Sequence, residues 1–394
     1  MLNERYVALG ITGSIAAYKA ADLASKLTQA GARVDAMLTE SAMRFITPLT
    51  LRSLTRRPVF VDMFDPSSEL AEEHVEIARR ASAAIVAPAS ASMIAKLAQG
   101  RADDVVSLTV LATAAPVLVA PAMDHQMFED ETTQANLETL RARGVTVVGP
   151  AEGRLASGRV GAGRLVDTET LVGAVRWAAG RTGDLAGRRI VVSAGGTQEA
   201  LDPVRYVGNH SSGKMGFAVA EAARDRGAEV TLVAAPTALG CPYGVRLASV
   251  RSAAEMRDAI AEACNTADAL IMAAAVADFQ PADAAGHKIK KSGKATLSME
   301  LEPTPDILDE MRGDFVRVGF KAETEHMVER AREMLERKQL DLVVGNDVTA
   351  AGSGFATETN QVTIVSKDGE EPLPLLSKYE VAWRLLDRVA ALLR

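Results

Sequence analysis

What the chain lacks narrows its class before any motif is read. Of 394 residues only two are cysteine, Cys241 and Cys264, in neither a metal-ligand spacing nor a disulfide framework. That excludes a cysteine-stapled scaffold, argues against structural zinc and fits a reducing cytoplasm. Basic charge is not in excess: 51 acidic against 44 basic residues leave a formal net charge of -7. No global positive field is therefore available to a nucleic-acid backbone, and nucleic acid is not expected as a partner. The longest apolar run, about residues 110–123, contains Pro116 and Pro121 and falls short of the ~20 residues of a membrane span. Residues 1–10 lack the basic-then-apolar layout of a signal peptide, so a soluble cytoplasmic protein is expected.

What is present is ordinary globular composition, 48% hydrophobic and 24% charged, with 30 glycines scattered rather than repeated. At this length two domains of roughly 150 to 200 residues are expected. Residues 6–11 read as a buried strand, 16–30 as a helix closed by Gly31, and 34–38 as the next strand, a β-turn-α-β opening that argues for a parallel sheet. Short apolar strands follow at 83–87 and 117–120, ending at Pro88 and Pro121, where open α/β sheets bind ligands. A second start comes at strand 189–194, helix 213–226 and strand 230–234. Residues 178–184 are small, polar and glycine-bearing. The expected division is a domain over 1–178, a linker over 179–187 and a domain over 188–394, both Rossmann-like α/β folds. Neither half has GxGxxG after its first strand, which disfavours a nicotinamide oxidoreductase.

In the first half, Gly10-Ile11-Thr12-Gly13-Ser14 puts small residues and free N–H groups at a helix start, a phosphate cradle or simply a tight turn. Thr39-Glu40-Ser41-Ala42, Glu73-His74-Val75-Glu76, Pro88-Ala89-Ser90-Ala91-Ser92, Pro121-Ala122-Met123-Asp124 and Leu155-Ala156-Ser157-Gly158 follow. Together these motifs resemble the flavin-dependent cysteine decarboxylases, over most of residues 5–175. The resemblance implies a flavodoxin-like flavoprotein with FMN held by Gly13, Ser14, Ile15, Thr39, Ser90 and Ser92. It makes His74 the base, Asp124 a substrate-binding residue and Ser157 the catalytic residue of the flap; by its neighbours Glu72, Glu73 and Glu76 alone, His74 reads as a surface histidine. The family commonly has asparagine where Asp124 stands and an acidic cysteine where Ser157 stands.

In the second half, Gly195-Gly196-Thr197-Gln198-Glu199, the run from Asp202 to Gly216, Ala273 to Phe279, Lys288-Ile289-Lys290-Lys291, Thr304-Pro305-Asp306 and Gly319-Phe320-Lys321 stand in order. They closely resemble bacterial phosphopantothenate–cysteine ligases, implying a parallel-rich ligase domain. Read alone, Ser211-Ser212-Gly213-Lys214 is an anion-binding helix start or a structural cap. Lys288, Lys290 and Lys291 read as a basic lid or a solvated face, and Lys338 as a phosphate ligand or part of a helix surface.

The resemblance implies activation of the 4'-phosphopantothenate carboxylate by CTP, then attack by cysteine. Asn209 and Lys288 become catalytic. Arg205, Ser211, Ser212, Gly213, Lys214, Ala274, Asp278, Lys290, Lys291, Asp306, Phe320 and Lys338 become substrate-binding, with Mg2+ at Asp278. The flavin domain then decarboxylates 4'-phosphopantothenoylcysteine. Homo-oligomers of decarboxylase trimers joined by ligase dimers, a dodecamer among them, are implied. The alternative is a working ligase whose flavin domain, with Asp124 and Ser157, serves mainly for oligomerisation.

Overall fold

The computed structural model describes residues 2–63, 73–290, 297–323, 326–347, 354 and 357–393. Two units, Met1–Gly180 and Arg181–Arg394, each hold their own sheet.

In the first, a 3-10 turn (Ile15–Ala17) follows β1 (Tyr6–Ile11) and leads into α1 (Tyr18–Gln29), where a single helix over 16–30 was expected. Then come β2 (Arg33–Leu38), α2 (Pro48–Thr55), β3 (Val59–Phe60), α3 (Glu73–Arg80), β4 (Ala81–Ala89), α4 (Ala91–Gln99), α5 (Val105–Ala112) and β5 (Val117–Pro121). The unit continues with α6 (His125–Glu129), α7 (Glu131–Ala142), β6 (Thr146–Val147), the hairpin β7 (Ala151–Arg154) and β8 (Val160–Arg164), and α8 (Thr168–Gly180). Six strands pair in parallel in the order β3-β2-β1-β4-β5-β6.

The strands are apolar on both faces because helices cover both. Ala8, Ala84, Val86 and Val119 join residues of α3, α4, α5 and α7 in one cluster. Val7, Leu9, Ala83 and Ile85 alternate to the other face and are equally buried. Each buried Val, Leu or Ile contributes about 1.5–3 kcal/mol. Strand β4 outruns the expected 83–87 and carries Pro88 inside it. The pairing with β5 shifts register between Val86 and Ala89, so the missing N–H of Pro88 breaks no regular ladder.

The second unit begins with β9 (Arg189–Ala194), a small hairpin of β10 (Gln198–Ala200) and β11 (Tyr206–Gly208), α9 (Lys214–Asp225), β12 (Glu229–Ala234), β13 (Arg246–Ser249) and α10 (Ala253–Cys264). Next are β14 (Ala269–Met272), the antiparallel pair β15 (Phe279–Pro281) and β16 (Leu301–Pro303), α11 (Ile307–Glu310), β17 (Val316–Glu323), α12 (Met327–Lys338) and β18 (Leu342–Asp347). The unit closes with β19 (Thr359–Asn360), β20 (Val362–Ser366), β21 (Gly369–Pro372), β22 (Leu376–Ser377) and α13 (Lys378–Leu392).

Its eight-stranded sheet runs β13-β12-β9-β14-β17-β18-β20-β21. The first six are parallel, in the same relative order as the first unit, and β20 and β21 add an antiparallel edge. In both units the chain leaves the first strand to one side and returns to the other, opening a crevice between β1 and β4 and another between β9 and β14. Such switch points are where open α/β sheets hold ligands.

The stretch expected as a linker is ordered. Its first two residues, Ala179 and Gly180, end α8 and are buried. Beyond them the Leu185 N–H donates to the Arg226 carbonyl at 3.0 Å, and Asp184 pairs with Arg226. Arg226, buried and set over the Trp383 ring at 5.2 Å, supplies the cation that holds this segment to its own unit.

Candidate functional site

In the first unit the loops after β1, β2, β4 and β5 converge at the carboxyl end of the sheet. Thr12 joins two of them: its buried hydroxyl donates to the Pro88 carbonyl at 2.8 Å and accepts from the Ser90 N–H at 3.0 Å. Ser14 caps the 3-10 turn and donates to the Ala122 carbonyl at 3.3 Å. Ser90 caps α4, and Thr39 Oγ1 accepts from the Ala42 N–H at 3.2 Å. A methyl on Gly13 would lie 2.5 Å from Ser41 Cβ, so only glycine lets the first turn approach the 39–41 turn this closely. Hydroxyls from three loops and the N–H groups of the first turn thus meet at the β1/β4 crevice, a donor set that fits a phosphate-bearing cofactor.

Gly13, Ser14, Ile15, Thr39 and Ser90 share this end of the sheet, and Ser92 is the second residue of α4. His74 is half-buried in the first turn of α3, which leads directly into β4. Lys19, the nearby cation in sequence, donates to the Leu165 carbonyl at 3.3 Å, and burial lowers its pKa.

The two departures from the decarboxylase pattern meet each other. Ser157, in the turn of the β7–β8 hairpin, donates to Asp124 Oδ2 at 2.6 Å. Asp124 caps α6 through the Gln126 N–H, and Arg159 stands 3.9 Å away while donating to Gln126 Oε1 at 2.7 Å. The Ser157 hydrogen bond, then the Gln126 N–H, hold the Asp124 carboxyl below its usual range. The hairpin is further tied down by the Met123 N–H on the Gly163 carbonyl at 2.9 Å.

In the second unit a cleft of about 1540 Å³ opens at the β9/β14 switch point. Its floor is the end of β14 and the loop beyond it, Met272 to Asp278, which is fastened to the end of β9 behind it. Ser193 Oγ accepts from the Ala274 N–H at 3.1 Å, Thr197 Oγ1 accepts from the Ala277 N–H at 2.9 Å, and the Ala275 N–H donates to the Gly195 carbonyl at 2.8 Å. Asn209 Nδ2 donates to the Val276 carbonyl at 2.9 Å, which fixes the amide against this floor. Gly213, at φ +75°, turns the chain into α9, where a methyl would come within 2.9 Å of Thr237 Cγ2. Ser211 Oγ accepts from the Gly213 N–H at 3.3 Å and Ser212 Oγ from the Lys214 N–H at 3.5 Å. The 12-residue helix beyond them presents its positive dipole end to the cleft.

Asn209, Ser211, Ser212, Gly213, Lys214, Ala274, Asp278, Asp306, Phe320 and Lys338 all line this cleft. Four of the expected ligands are engaged internally. Lys338, buried, pairs with Asp306 at 2.5 Å, so each neutralises the other. Arg205 is held by Asp202 and the Ile289 carbonyl. Lys214 likewise pairs with Glu358. Lys288 and Lys290 are exposed, and Lys291 lies outside the described residues. Asp278 is exposed, and no group of three His, Cys, Asp or Glu suited to a metal is found among the described residues.

Sequence reasoning left out Thr12, Ser193, Thr197 and Asp202. Each buries a polar side chain, Ser193 in an expected strand and the others inside motifs already singled out, and a buried hydroxyl or carboxylate must find partners.

Comparison with known proteins gives the same division. The flavoprotein family matches residues 1–179, and the family described as DNA/pantothenate metabolism flavoprotein C-terminal domain matches residues 185–393. The coenzyme A biosynthesis bifunctional protein CoaBC of Bacillus subtilis is 44% identical over 399 residues, covering 100% of this chain and 98% of the relative. That of Vibrio cholerae is 44% identical over 389 residues, covering 97% and 96%. The chain belongs to the bifunctional coenzyme A biosynthesis family. A solved structure of the C-terminal domain of a family member is 40% identical, covers 54% of this chain and 98% of its own, and superposes with a TM-score of 0.46. The two family matches coincide with the two units and their sheets. No helix among the described residues is long and apolar enough to cross a membrane.

Proposed function

We propose that the chain catalyses two consecutive steps of coenzyme A biosynthesis. The second unit ligates cysteine to 4'-phosphopantothenate through a CTP-derived acyl-cytidylate. The first decarboxylates the resulting 4'-phosphopantothenoylcysteine to 4'-phosphopantetheine with FMN. The observation that carries this reading is the β9/β14 cleft, where a fixed Asn209 amide and the start of α9 face one volume large enough for nucleotide and acid together. Similarity to the bifunctional relatives runs through both units, which does not favour the flavin domain as a mere oligomerisation module.

A carboxylate resists amine attack until its oxygen becomes a good leaving group, so nucleotidyl transfer comes first. Ser211, Ser212 and the N–H groups of Gly213 and Lys214 receive phosphate oxygens at the helix start. Lys288, with Lys290 and Lys291, neutralises the charge developing on departing pyrophosphate. Asn209 donates to the acyl intermediate, Ala274 and Phe320 bound the base, and the Asp306–Lys338 pair shapes the cleft wall. Asp278 would be the protein's carboxylate for a Mg2+ ion accompanying the triphosphate, which would offset phosphate charge there.

In the first unit FMN, when bound, supplies the two-electron chemistry that makes the thiol-bearing carbon an electron sink for loss of carbon dioxide. Gly13, Ser14, Ile15, Thr39, Ser90 and Ser92 hold that cofactor. His74 accepts the substrate proton at an imidazole nitrogen. Ser157 donates to Asp124 and is a weak acid, so the last proton reaches the product from another group or from water. The protein works in the cytoplasm as a homo-oligomer; Tyr18 and Leu49, 63% and 71% exposed, are apolar surface in the first unit for such contacts.

Mass spectrometry of products from 4'-phosphopantothenate, CTP and cysteine reads both units at once. 4'-Phosphopantetheine is the expected product. The cysteine conjugate alone would overturn the decarboxylase assignment; unchanged acid would overturn the ligase assignment, and 4'-phosphopantothenoylcysteine supplied directly then reads the decarboxylase by itself.

A further inference from the structure

One buried carboxylate ties the turn before β11 to the segment 285–290, which carries the lysines of the expected basic lid. Asp202 has no side-chain exposure, yet it lies outside the cleft lining. It accepts from the Val204 and Arg205 N–H groups at 2.8 Å each, from Arg205 Nε at 3.0 Å, and from the Ile289 N–H at 3.1 Å. Arg205 then reaches past it to the Ile289 carbonyl at 3.0 Å. A third link, the Ala285 N–H on the Leu201 carbonyl at 3.0 Å, lies alongside. Both backbone groups of Ile289 are thereby engaged. Ile289 is half-buried, while Lys288 and Lys290 on either side are exposed.

We infer that Asp202 and Arg205 form a clip that grips the backbone of Ile289 and so positions Lys288 and Lys290 for the phosphates of the nucleotide; the inference rests on the ligase reading above. The Arg205 fork, then the backbone N–H donors, hold the Asp202 carboxyl far below the usual carboxylate range, so the clip stays charged across physiological pH. A long lysine side chain samples many rotamers. Fixing the backbone between two of them reduces the ordering that must accompany nucleotide binding. Arg205, whose charge is spent on Asp202, acts in this arrangement through the lysines rather than on the acyl group. Asp202 and Arg205 are positioning residues.

Two measurements on the full-length chain test the clip. The first needs no ligand: hydrogen exchange of the segment 285–290 is compared in wild type and Asp202→Asn. Faster exchange at Ile289 in the variant is expected, and unchanged exchange overturns the clip. The second is a kinetic cycle of Asp202→Asn, Lys288→Gln and the double variant, followed by CTP-dependent pyrophosphate release. Asp202→Asn is expected to raise the KM for CTP roughly tenfold with little change in the KM for cysteine, and to add almost nothing once Lys288 is gone. Effects that multiply in the double variant, or a loss shared equally by all substrates, overturn the positioning role. Wild-type protein that releases no pyrophosphate from CTP would instead refute the ligase reading, while hydrogen exchange still decides whether Asp202 grips the loop.

Discussion

The two crevices share one topology and are closed by different means. Between β9 and β14 the floor is stitched by buried hydroxyls and backbone groups, Ser193 to Ala274 and Thr197 to Ala277. Beside the crevice between β1 and β4, the tip of the hairpin is held by side-chain pairs at the surface, Ser157 to the half-buried Asp124 and Arg159 to Gln126. Buried hydrogen bonds resist exchange with water, whereas exposed ones compete with it at nearly equal free energy. Buried groups thus fix the floor in both units, as Thr12 does between Pro88 and Ser90 in the first, whereas the tip of the flavin unit's hairpin is latched at the surface. The two departures from the decarboxylase pattern meet there, the Ser157 hydroxyl donating to the Asp124 carboxylate.

The comparison is broken most severely by disturbing the fixed side of the ligase cleft. Asn209→Asp sets a carboxylate against the Val276 carbonyl, and cysteine ligation should fall by roughly 100-fold or more, as for loss of a preorganised donor. Product assay with CTP and cysteine measures it, and robust ligation would refute the role of Asn209. Next in size is Ser157→Cys, which introduces a thiol with pKa near about 8.5 as a stronger acid, and should accelerate decarboxylation roughly tenfold. An unchanged rate would show that flap acidity does not limit turnover.

Gly213→Ala comes third. Its φ of +75° and the 2.9 Å approach to Thr237 predict a loss of about 1–2 kcal/mol in the ligase unit. Urea unfolding of that unit should show it, with the flavin unit's transition unmoved. The smallest effect sharpens the contrast from the other side. Both cysteines lie in the second unit; Cys241 is exposed, and burial pushes the Cys264 thiol up to about 11. Iodoacetamide near pH 8 should label Cys241 ahead of Cys264 and leave decarboxylation untouched. Loss of that activity on alkylation would contradict a flap that works without a thiol.

Much of the architecture was legible because buried parallel strands are continuous apolar runs. Residues 6–11 and 189–194 were read as strands at the positions where β1 and β9 stand. Three- and four-residue elements such as β10, β15 and α11 were not read, since so few residues carry no period. Pro88 predicts a strand end, since proline removes a ladder N–H; the register shift against β5 lets β4 continue instead.

The sequence by itself determined two β-turn-α-β starts, their small-residue turns and the residue types offered to each crevice, because these follow from local periodicity and backbone preference. Which polar groups find each other was decided only in three dimensions. Asp124 and Ser157 are 33 residues apart, Asp306 and Lys338 are 32 apart, and Arg205 and Ile289 are 84 apart. Loops rising from neighbouring strands of a parallel sheet converge at one end whatever their separation along the chain. A charge that reads as a free ligand in sequence can thus be neutralised by a partner that only the packed sheet brings near.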